Sequence, residues 1–244
     1  MKADTIKKEI DAIFEEKPFI HLQDAIYEAL YRKIIRLEYE PGCVLAEVRL
    51  AKELESSRTP IRNALQMLAG DGLVVRNDGR CFRVASLKKD ECRQLMEVRV
   101  PVEGQAAYWA AERIEPEQLD ALQNNYLGFK RACLDWDIEG LVNYDHSFHQ
   151  IVVDAAKNEF ISEIYSQIKP RILHYRYFLY RMAPMEILEP IMTASTRHHM
   201  GMLNAIRLGL SNEARERMQS DFSGMGDIIG VWNAAYEKNA LRKK

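Results

Sequence analysis

Apolar residues recur every three to four positions along most of this chain, which is the spacing of one face of an α-helix. Beyond residue 86 the pattern predicts six long amphipathic helices, which cover roughly residues 88–112, 116–134, 138–156, 158–182, 190–209 and 211–237. The breaks between them fall at Pro116, near Gly140, at Asn158, at Pro184 and Pro190, and at Gly209. Proline and glycine end helices, so this part of the chain is predicted to be an antiparallel all-α bundle.

The first 86 residues follow a shorter pattern. Helical spacing predicts a first helix that Pro18 ends, and then helices over about 24–37, 47–55 and 59–70. Two apolar runs then flank Asn77-Asp78-Gly79, which is typical of a β-hairpin. The fold class is therefore mainly α, in three predicted parts: an N-terminal extension helix at 1–20, a winged helix-turn-helix domain at 21–86, and the helical bundle at 87–244.

Composition narrows the class of protein. Hydrophobic residues make up 47% and charged residues 29% of the chain, with a net charge of −2, as in ordinary soluble domains. No apolar run approaches the ~20 residues of a membrane span, and the charged N-terminus does not resemble a signal peptide. The four cysteines are far apart, which predicts free thiols in a reducing cytoplasm.

The helix predicted at 59–70 has two different faces. One face is apolar, with Ile61, Ala64, Leu65 and Leu68, and the other carries Arg58, Thr59, Arg62, Asn63 and Gln66. Arginine can bond guanine O6 and N7 together, and short polar side chains reach phosphates or base edges. The hairpin tip, with Gly79 and Arg80, is placed like a wing on the neighbouring minor groove. This pattern predicts a DNA-binding head.

A second set of chemically active residues lies in the predicted bundle. Asp145 and His149 are four residues apart on the inward side of one helix, His199 lies on the inward face of a later helix, and Asp221 flanks the buried stripe of the last. A carboxylate and an imidazole at this spacing can hold one cation between them. Spacing alone leaves two interpretations open, a metal or anion site and a set of histidines satisfied within the core.

The head resembles the GntR family of bacterial regulators. The similarity is carried by Tyr27-Glu28-Ala29-Leu30, Pro41-Gly42, Ser57 to Leu65 and Gly72-Leu73-Val74. It implies operator contacts from Arg58, Thr59, Arg62 and the wing glycine, Gly79. The family arginine on the preceding helix is replaced by Val48, so the neighbouring Arg49 is the expected substitute. The glycine usual in the turn between the two helices is Glu55.

Residues from about 90 to 236 resemble the FCD effector domain of the FadR-type subgroup. The similarity is carried by Met96-Glu97-Val98-Arg99 with Glu103, by Asp145-x3-His149, by Asn158 and by His199. It implies a divalent cation held by one aspartate and three histidines. Here the fourth position is Asp221, which can still ligate zinc, nickel or manganese, or can instead meet an arginine or histidine directly.

The resemblance implies that Arg99 binds a small carboxylate effector through its planar guanidinium. A plain Arg99–Glu103 pair along the helix is the alternative. The family resemblance also implies a homodimer that binds a near-palindromic double-stranded operator and represses transcription until an organic acid binds.

Two other functions stay open on sequence alone. One is a metal-responsive regulator without an organic effector, and the other is a helical metal-dependent enzyme. The chain has no His-Glu-x-x-His, Gly-x-Ser-x-Gly, Walker or dinucleotide motif, so we predict that it is not an enzyme.

Overall fold

The computed structural model describes residues 3–77 and 81–222, with side chains for residues 6–76 and 81–222. The chain divides into two compact units. One is the segment up to Leu87 together with Pro170–His174, and the other is the rest of the chain from Lys88. The mainly helical fold predicted from the sequence is confirmed.

The described residues up to Leu87 form four helices and a small sheet. The helices are α1 (Ala3–Glu16), α2 (Leu22–Ile35), α3 (Glu47–Glu53) and α4 (Arg58–Gly70), and the strands are β1 (Val44–Leu45), β2 (Val74–Asn77) and β3 (Cys81–Val84). Strand β3 lies in the centre and pairs antiparallel with both others. The predicted hairpin is present. Sequence analysis missed β1 because two residues are too short to show an alternating pattern.

Helix α1 is part of the core of this unit. Ile6, Ile10 and Ile13 are buried, and α1 packs mainly against α2. Arg32 of α2 reaches Glu9 at 3.3 Å and Glu16 at 3.4 Å on α1. Burying three isoleucines removes a large apolar area from water, at ~1.5–3 kcal/mol each, so the N-terminal extension stabilises its own head.

The described residues from Lys88 onwards form six helices, one of which includes Pro170–His174 of the first unit. They are α5 (Lys89–Arg113), α6 (Pro116–Asp135), α7 (Ile138–Ala155), α8 (Glu159–Met182), α9 (Met185–Arg207) and α10 (Ser211–Asp221). Polar side chains begin three of them: Glu115 forms a capping box with Gln118, Asp137 accepts from the amide of Gly140, and Asn158 accepts from that of Ile161. These caps fix where successive helices turn back.

The predicted break at Pro190 is wrong. Helix α9 begins at Met185 and continues through Pro190. A proline here deprives the carbonyl of Glu186, one turn earlier, of its helical partner. Both residues are exposed, so water can satisfy that carbonyl and the helix continues. The predicted end of the last helix near residue 237 lies outside the described residues.

Two further properties bear on the expected class of protein. None of the described helices is both long and apolar enough to cross a lipid bilayer. The four cysteines are all free thiols.

The turn between α3 and α4 passes through Glu55 in the left-handed region, at φ 50°. A side chain with a Cβ is disfavoured there, which explains why glycine suits this position. The Glu55 carboxylate lies 2.8 Å from Lys7 Nζ on α1, and its side chain is 79% exposed. An exposed ion pair contributes little, so the backbone conformation dominates the energetics of the turn.

Replacing Glu55 by glycine is therefore expected to stabilise the head, because glycine adopts a positive φ without steric penalty. We expect the unfolding midpoint of the full chain to rise by about 2–4 °C, measured by differential scanning calorimetry. Glu55→Ala is the matched control, since it removes the same contact with Lys7 but keeps a Cβ, and it should not raise the midpoint. Equal midpoints for the two variants would show that this turn is unstrained.

Candidate functional site

The exposed face of α4 displays the residues predicted to contact DNA. Arg58, Thr59 and Arg62 are exposed. The opposite face is fully buried through Ile61, Ala64, Leu65 and Leu68. The helix starts at Arg58 after the extended residue Ser57, whose side chain makes no capping hydrogen bond. The first turn of α4 therefore presents its polar side chains to solvent.

Arg62 forms a two-pronged contact with Glu47, the first residue of α3. Its Nε lies 3.1 Å from Oε1 and its Nη2 lies 2.8 Å from Oε2. Hydrogen bonding to Arg62 lowers the pKa of Glu47. Because the Arg62 side chain is 53% exposed, the pair is a weak surface contact, and a phosphate or a guanine edge can compete for the guanidinium.

The other predicted DNA contacts lie on α3 and at the hairpin tip. Arg49 is exposed on α3, where its Nε lies 3.3 Å from Glu53 Oε1 one turn later. Gly79 and Arg80 lie outside the described residues, between the ends of β2 and β3.

The four predicted metal ligands come together inside the second unit. Asp145 and His149 project from α7, His199 from α9 and Asp221 from the end of α10. One donor atom from each lies within 4.8 Å of the donor atoms of the other three. The side chains are 0–3% exposed.

The two histidines of this cluster make no hydrogen bond to its aspartates. His149 Nε2 lies 3.4 Å from Asp221 Oδ2 and 3.8 Å from Asp145 Oδ2. His199 Nε2 lies 3.7 Å from an oxygen of each aspartate. Among the described residues, neither Nε2 atom nor Asp221 Oδ1 has a hydrogen-bond partner.

Buried polar atoms without partners are costly, and a cation placed among these donors would satisfy them together. Two imidazole nitrogens and two carboxylates suit zinc, nickel or manganese. The residues present therefore fit a divalent ion.

The charge states of Asp221 and His199 agree with metal binding. Burial by itself raises the pKa of the Asp221 carboxyl, but His149 and His199 lower it more, and the net pKa is well below its usual value. Burial lowers the pKa of His199. An ionised carboxylate and a neutral imidazole are the forms that bind a metal. Burial lowers the pKa of His149, but Glu103 and Asp221 raise it above its usual value, so metal binding there releases a proton.

A second layer of residues on α5 supports the cluster. Glu103 is fully buried, with Oε2 2.6 Å from His149 Nδ1 and Oε1 2.6 Å from Arg99 Nε. Burial raises the pKa of Glu103, but Arg99 and His149 lower it to about 2. The Arg99–Glu103 helix pair left open by the sequence is thus present, and the effector-binding role of Arg99 stays a prediction. Sequence analysis gave Glu103 no role of its own.

Aromatic rings fix the orientation of one ligand. The Phe148 ring stacks on the His199 ring with centroids 4.1 Å apart and planes 4° apart. Phe129 of α6 lies 4.8 Å from the same ring. Rings packed in this way leave His199 little freedom to rotate, so its Nε2 stays directed at the two aspartates.

Arg176 of α8 is a further charged group beside the four clustered residues. Its guanidinium contacts the Asp145 carboxylate, and burial and the charge of Arg99 lower its pKa to about 10. Every residue from Ile172 to Tyr180 is buried, so periodicity could not identify an inward face there.

Two family models match the chain. Residues 22–84 match "Bacterial regulatory proteins, gntR family". Residues 94–223, more than half of the chain, match the FCD domain. The exposed face of α4 lies within the first match and the four-residue cluster within the second.

Curated relatives are transcriptional regulators. The chain is 25% identical over 183 residues to the transcriptional repressor RspR of Escherichia coli. The aligned residues cover 75% of this chain and 77% of RspR. It is 27% identical over 156 residues to the uncharacterized transcriptional regulator YdhC of Bacillus subtilis. Here the aligned residues cover 61% of this chain and 69% of YdhC.

Solved structures show the same fold. Escherichia coli McbR/YncC covers 91% of this chain and 100% of its own, with a TM-score of 0.68 at 20% identity. A putative GntR regulator from Rhodococcus sp. RHA1 covers 87% and 98%, with a TM-score of 0.69 at 18% identity. These relatives and neighbours are regulators and not enzymes.

Replacing His149 and His199 together by alanine is expected to abolish metal retention, because it removes both nitrogen donors from the cluster. The check is elemental analysis of purified protein after incubation with zinc and desalting, where the unaltered chain should retain about one ion per cluster. The matched control replaces His21 and His198, which lie outside the cluster, and should retain the ion. Full occupancy in the His149/His199 variant would rule out this site.

Proposed function

Because this chain belongs to the GntR family of bacterial regulatory proteins and carries an FCD domain, we propose that it is a transcriptional repressor controlled by a small carboxylate. In this proposal a divalent metal ion in the FCD domain helps to bind that effector. The observation that carries the proposal is the exposed, arginine-bearing face of α4 inside the segment that matches the GntR model. DNA binding and transcriptional regulation follow from the family itself.

Arg58, Thr59 and Arg62 are the proposed contacts of the recognition helix in the major groove. Arg62 exchanges its contact with Glu47 for a base edge or a phosphate, which costs little because the pair is exposed. Arg49 on the preceding helix and Gly79 and Arg80 of the hairpin tip add contacts outside the recognition helix. Phosphate contacts fix the position of the head, and base contacts give sequence preference.

The proposed active form is a homodimer on a near-palindromic operator. One recognition helix reads only a few base pairs, so two heads related by a two-fold axis read two half-sites about one DNA turn apart. Repression is supported by the naming of the relative RspR as a repressor.

Asp145, His149, His199 and Asp221 are the residues that would hold the metal ion. When bound, the ion supplies a positive charge that attracts an anionic ligand in a site with little water. Arg176 contributes a second positive charge at the same place, through a buried guanidinium that contacts Asp145. A planar guanidinium suits a carboxylate particularly well, which is why we propose an organic acid.

The effector acts only if it binds two arrangements of the dimer with unequal affinity. The resulting change in operator affinity equals the coupling free energy between the two sites, typically about 1–3 kcal/mol. Arg176 is a suitable element for such coupling, because a carboxylate effector competes with Asp145 for its guanidinium.

A metal-responsive regulator without an organic effector is the second candidate. The four ligands taken without Arg176 favour it, since two carboxylates and two neutral imidazoles balance a divalent cation without any further anion. Titration of zinc into chelator-treated protein bound to operator separates the two. If zinc alone releases the operator from the protein, the second candidate is supported. If release of the operator also needs a carboxylate, the first is supported.

The DNA-binding assignment is tested with Arg62→Ala on an operator selected from random DNA by the unaltered protein. Losing a two-pronged arginine contact should weaken operator binding by roughly ten- to a hundredfold and relax the base preference at one position, measured by fluorescence anisotropy at fixed salt. Arg131→Ala on α6 removes an exposed arginine of the second unit and should leave binding unchanged. Unaltered affinity for Arg62→Ala would refute the assignment of α4.

The effector site is tested with Arg176→Met, which keeps an unbranched apolar stem but removes the guanidinium and its charge. The unaltered protein is expected to be stabilised thermally by one of the probes acetate, malonate and succinate, and the variant should need at least about ten times more of that probe. Arg131→Met is the charge-matched control.

The prediction for Arg99 is checked with Arg99→Lys, which keeps the charge beside Glu103 but loses the planar guanidinium. If the same carboxylate probe stabilises this variant at unchanged concentrations, Arg99 is excluded as the effector contact.

A further inference from the structure

We infer that Glu103 is a positioning residue for the metal centre, which holds the hydrogen of His149 on Nδ1 and thereby directs Nε2 to the ion. The inference rests on the metal site proposed above. It gives a role to a buried carboxylate that is not itself one of the four clustered ligands.

The two nitrogens of His149 face different groups. Nδ1 lies 2.6 Å from Glu103 Oε2, whereas Nε2 faces Asp221 and Asp145 at 3.4 and 3.8 Å. An ionised carboxylate can only accept hydrogen bonds. The nitrogen beside it therefore carries the hydrogen, and the other nitrogen keeps a lone pair for a metal.

The contact is short but not linear. Nδ1 makes no hydrogen bond in this structure despite its short distance to Glu103 Oε2, so the ring must turn slightly for its N–H to point at Glu103. His149 has no exposed surface, and Phe222 packs on its ring with centroids 5.6 Å apart. The carboxylate is thus the polar group that selects between the two ring orientations.

Arg99 holds Glu103 in place from the other side. Its Nε and Nη2 lie 2.6 and 3.3 Å from the two carboxylate oxygens, and its guanidinium stacks over the Phe222 ring at 4.5 Å. The arginine charge favours the ionised form of Glu103. A neutral carboxylic acid could donate to His149 and would leave its tautomer undetermined.

The experiment uses the full-length protein, loaded with zinc and labelled with 15N at histidine. The chain has six histidines, so the imidazole signals can be assigned by substitution. In the unaltered protein we expect zinc on Nε2 of His149 and a hydrogen on Nδ1 with a downfield, slowly exchanging signal. Coordination of zinc through Nδ1 would overturn the inference without any variant.

Glu103→Gln is the main variant, because it keeps the size of the side chain but loses its charge. Removing an outer partner of a ligating histidine typically costs 10–100-fold in metal affinity. We expect a loss in that range in competition with a zinc chelator, together with loss of the downfield Nδ1 signal. Glu97→Gln, on the same helix in an exposed pair with Arg93, should change neither quantity.

Glu103→Asp is the second variant, for the case in which Gln at this position prevents folding. It keeps the charge beside Arg99 but withdraws the carboxylate from His149 by one methylene, so the same loss of affinity and of the Nδ1 signal is expected. If the unaltered protein binds zinc and a folded Glu103 variant keeps both the zinc affinity and the downfield Nδ1 signal, the positioning role is wrong and the metal site stands. If the unaltered protein binds no zinc, the metal site itself is wrong.

Discussion

Ionisable groups buried inside the helical unit impose the main constraint on this protein. Arg99, Glu103, Asp145, His149 and His199 are all at most 1% exposed. An unpaired buried charge is costly, so each of these groups needs a partner of opposite charge or a bound ion. The contacts of Glu103 with Arg99 and His149 meet this need on one side of the cluster. On the other side, the nitrogens and oxygens that face one another at 3.4–3.8 Å without hydrogen bonds are arranged for a cation.

This constraint separates the residues of the site by function. Residues whose donor atoms converge are suited to hold an ion, and Glu103 orients one of them without being part of the convergent set. Arg176 differs from both, since its guanidinium is buried yet contacts a ligand carboxylate. In the proposed mechanism it is the group that an anionic effector would engage, because it contacts one cluster carboxylate, whereas Nε and Nη2 of Arg99 both contact Glu103.

The head follows a different physical principle, in which one face of α4 is fixed by burial and the other is left free. Four fully buried apolar residues determine the orientation of the helix, and the arginines on the opposite side contribute little to stability. Helix α1 packs against α2 and, to a smaller extent, against α3. Glu55 in the turn before α4 has a positive φ, as does Leu37 after α2, so a side chain stands at Glu55 where glycine would be more stable.

Except along α8, the sequence by itself determined which faces of the helices are buried, because apolar spacing depends only on helix geometry. It therefore identified the α4 face, the Asn-Asp-Gly hairpin and the pair Asp145 and His149, whose spacing of four places them on one side of α7. Tertiary structure decided the rest. Only packing of α5 against α7 brings Glu103 to His149, and only packing of α8 directs Arg176 to Asp145, since no local pattern connects residues that far apart in the chain. The short strand β1 and the continuation of α9 through Pro190 were decided in the same way, by a pairing partner and by solvent exposure that a linear pattern does not contain.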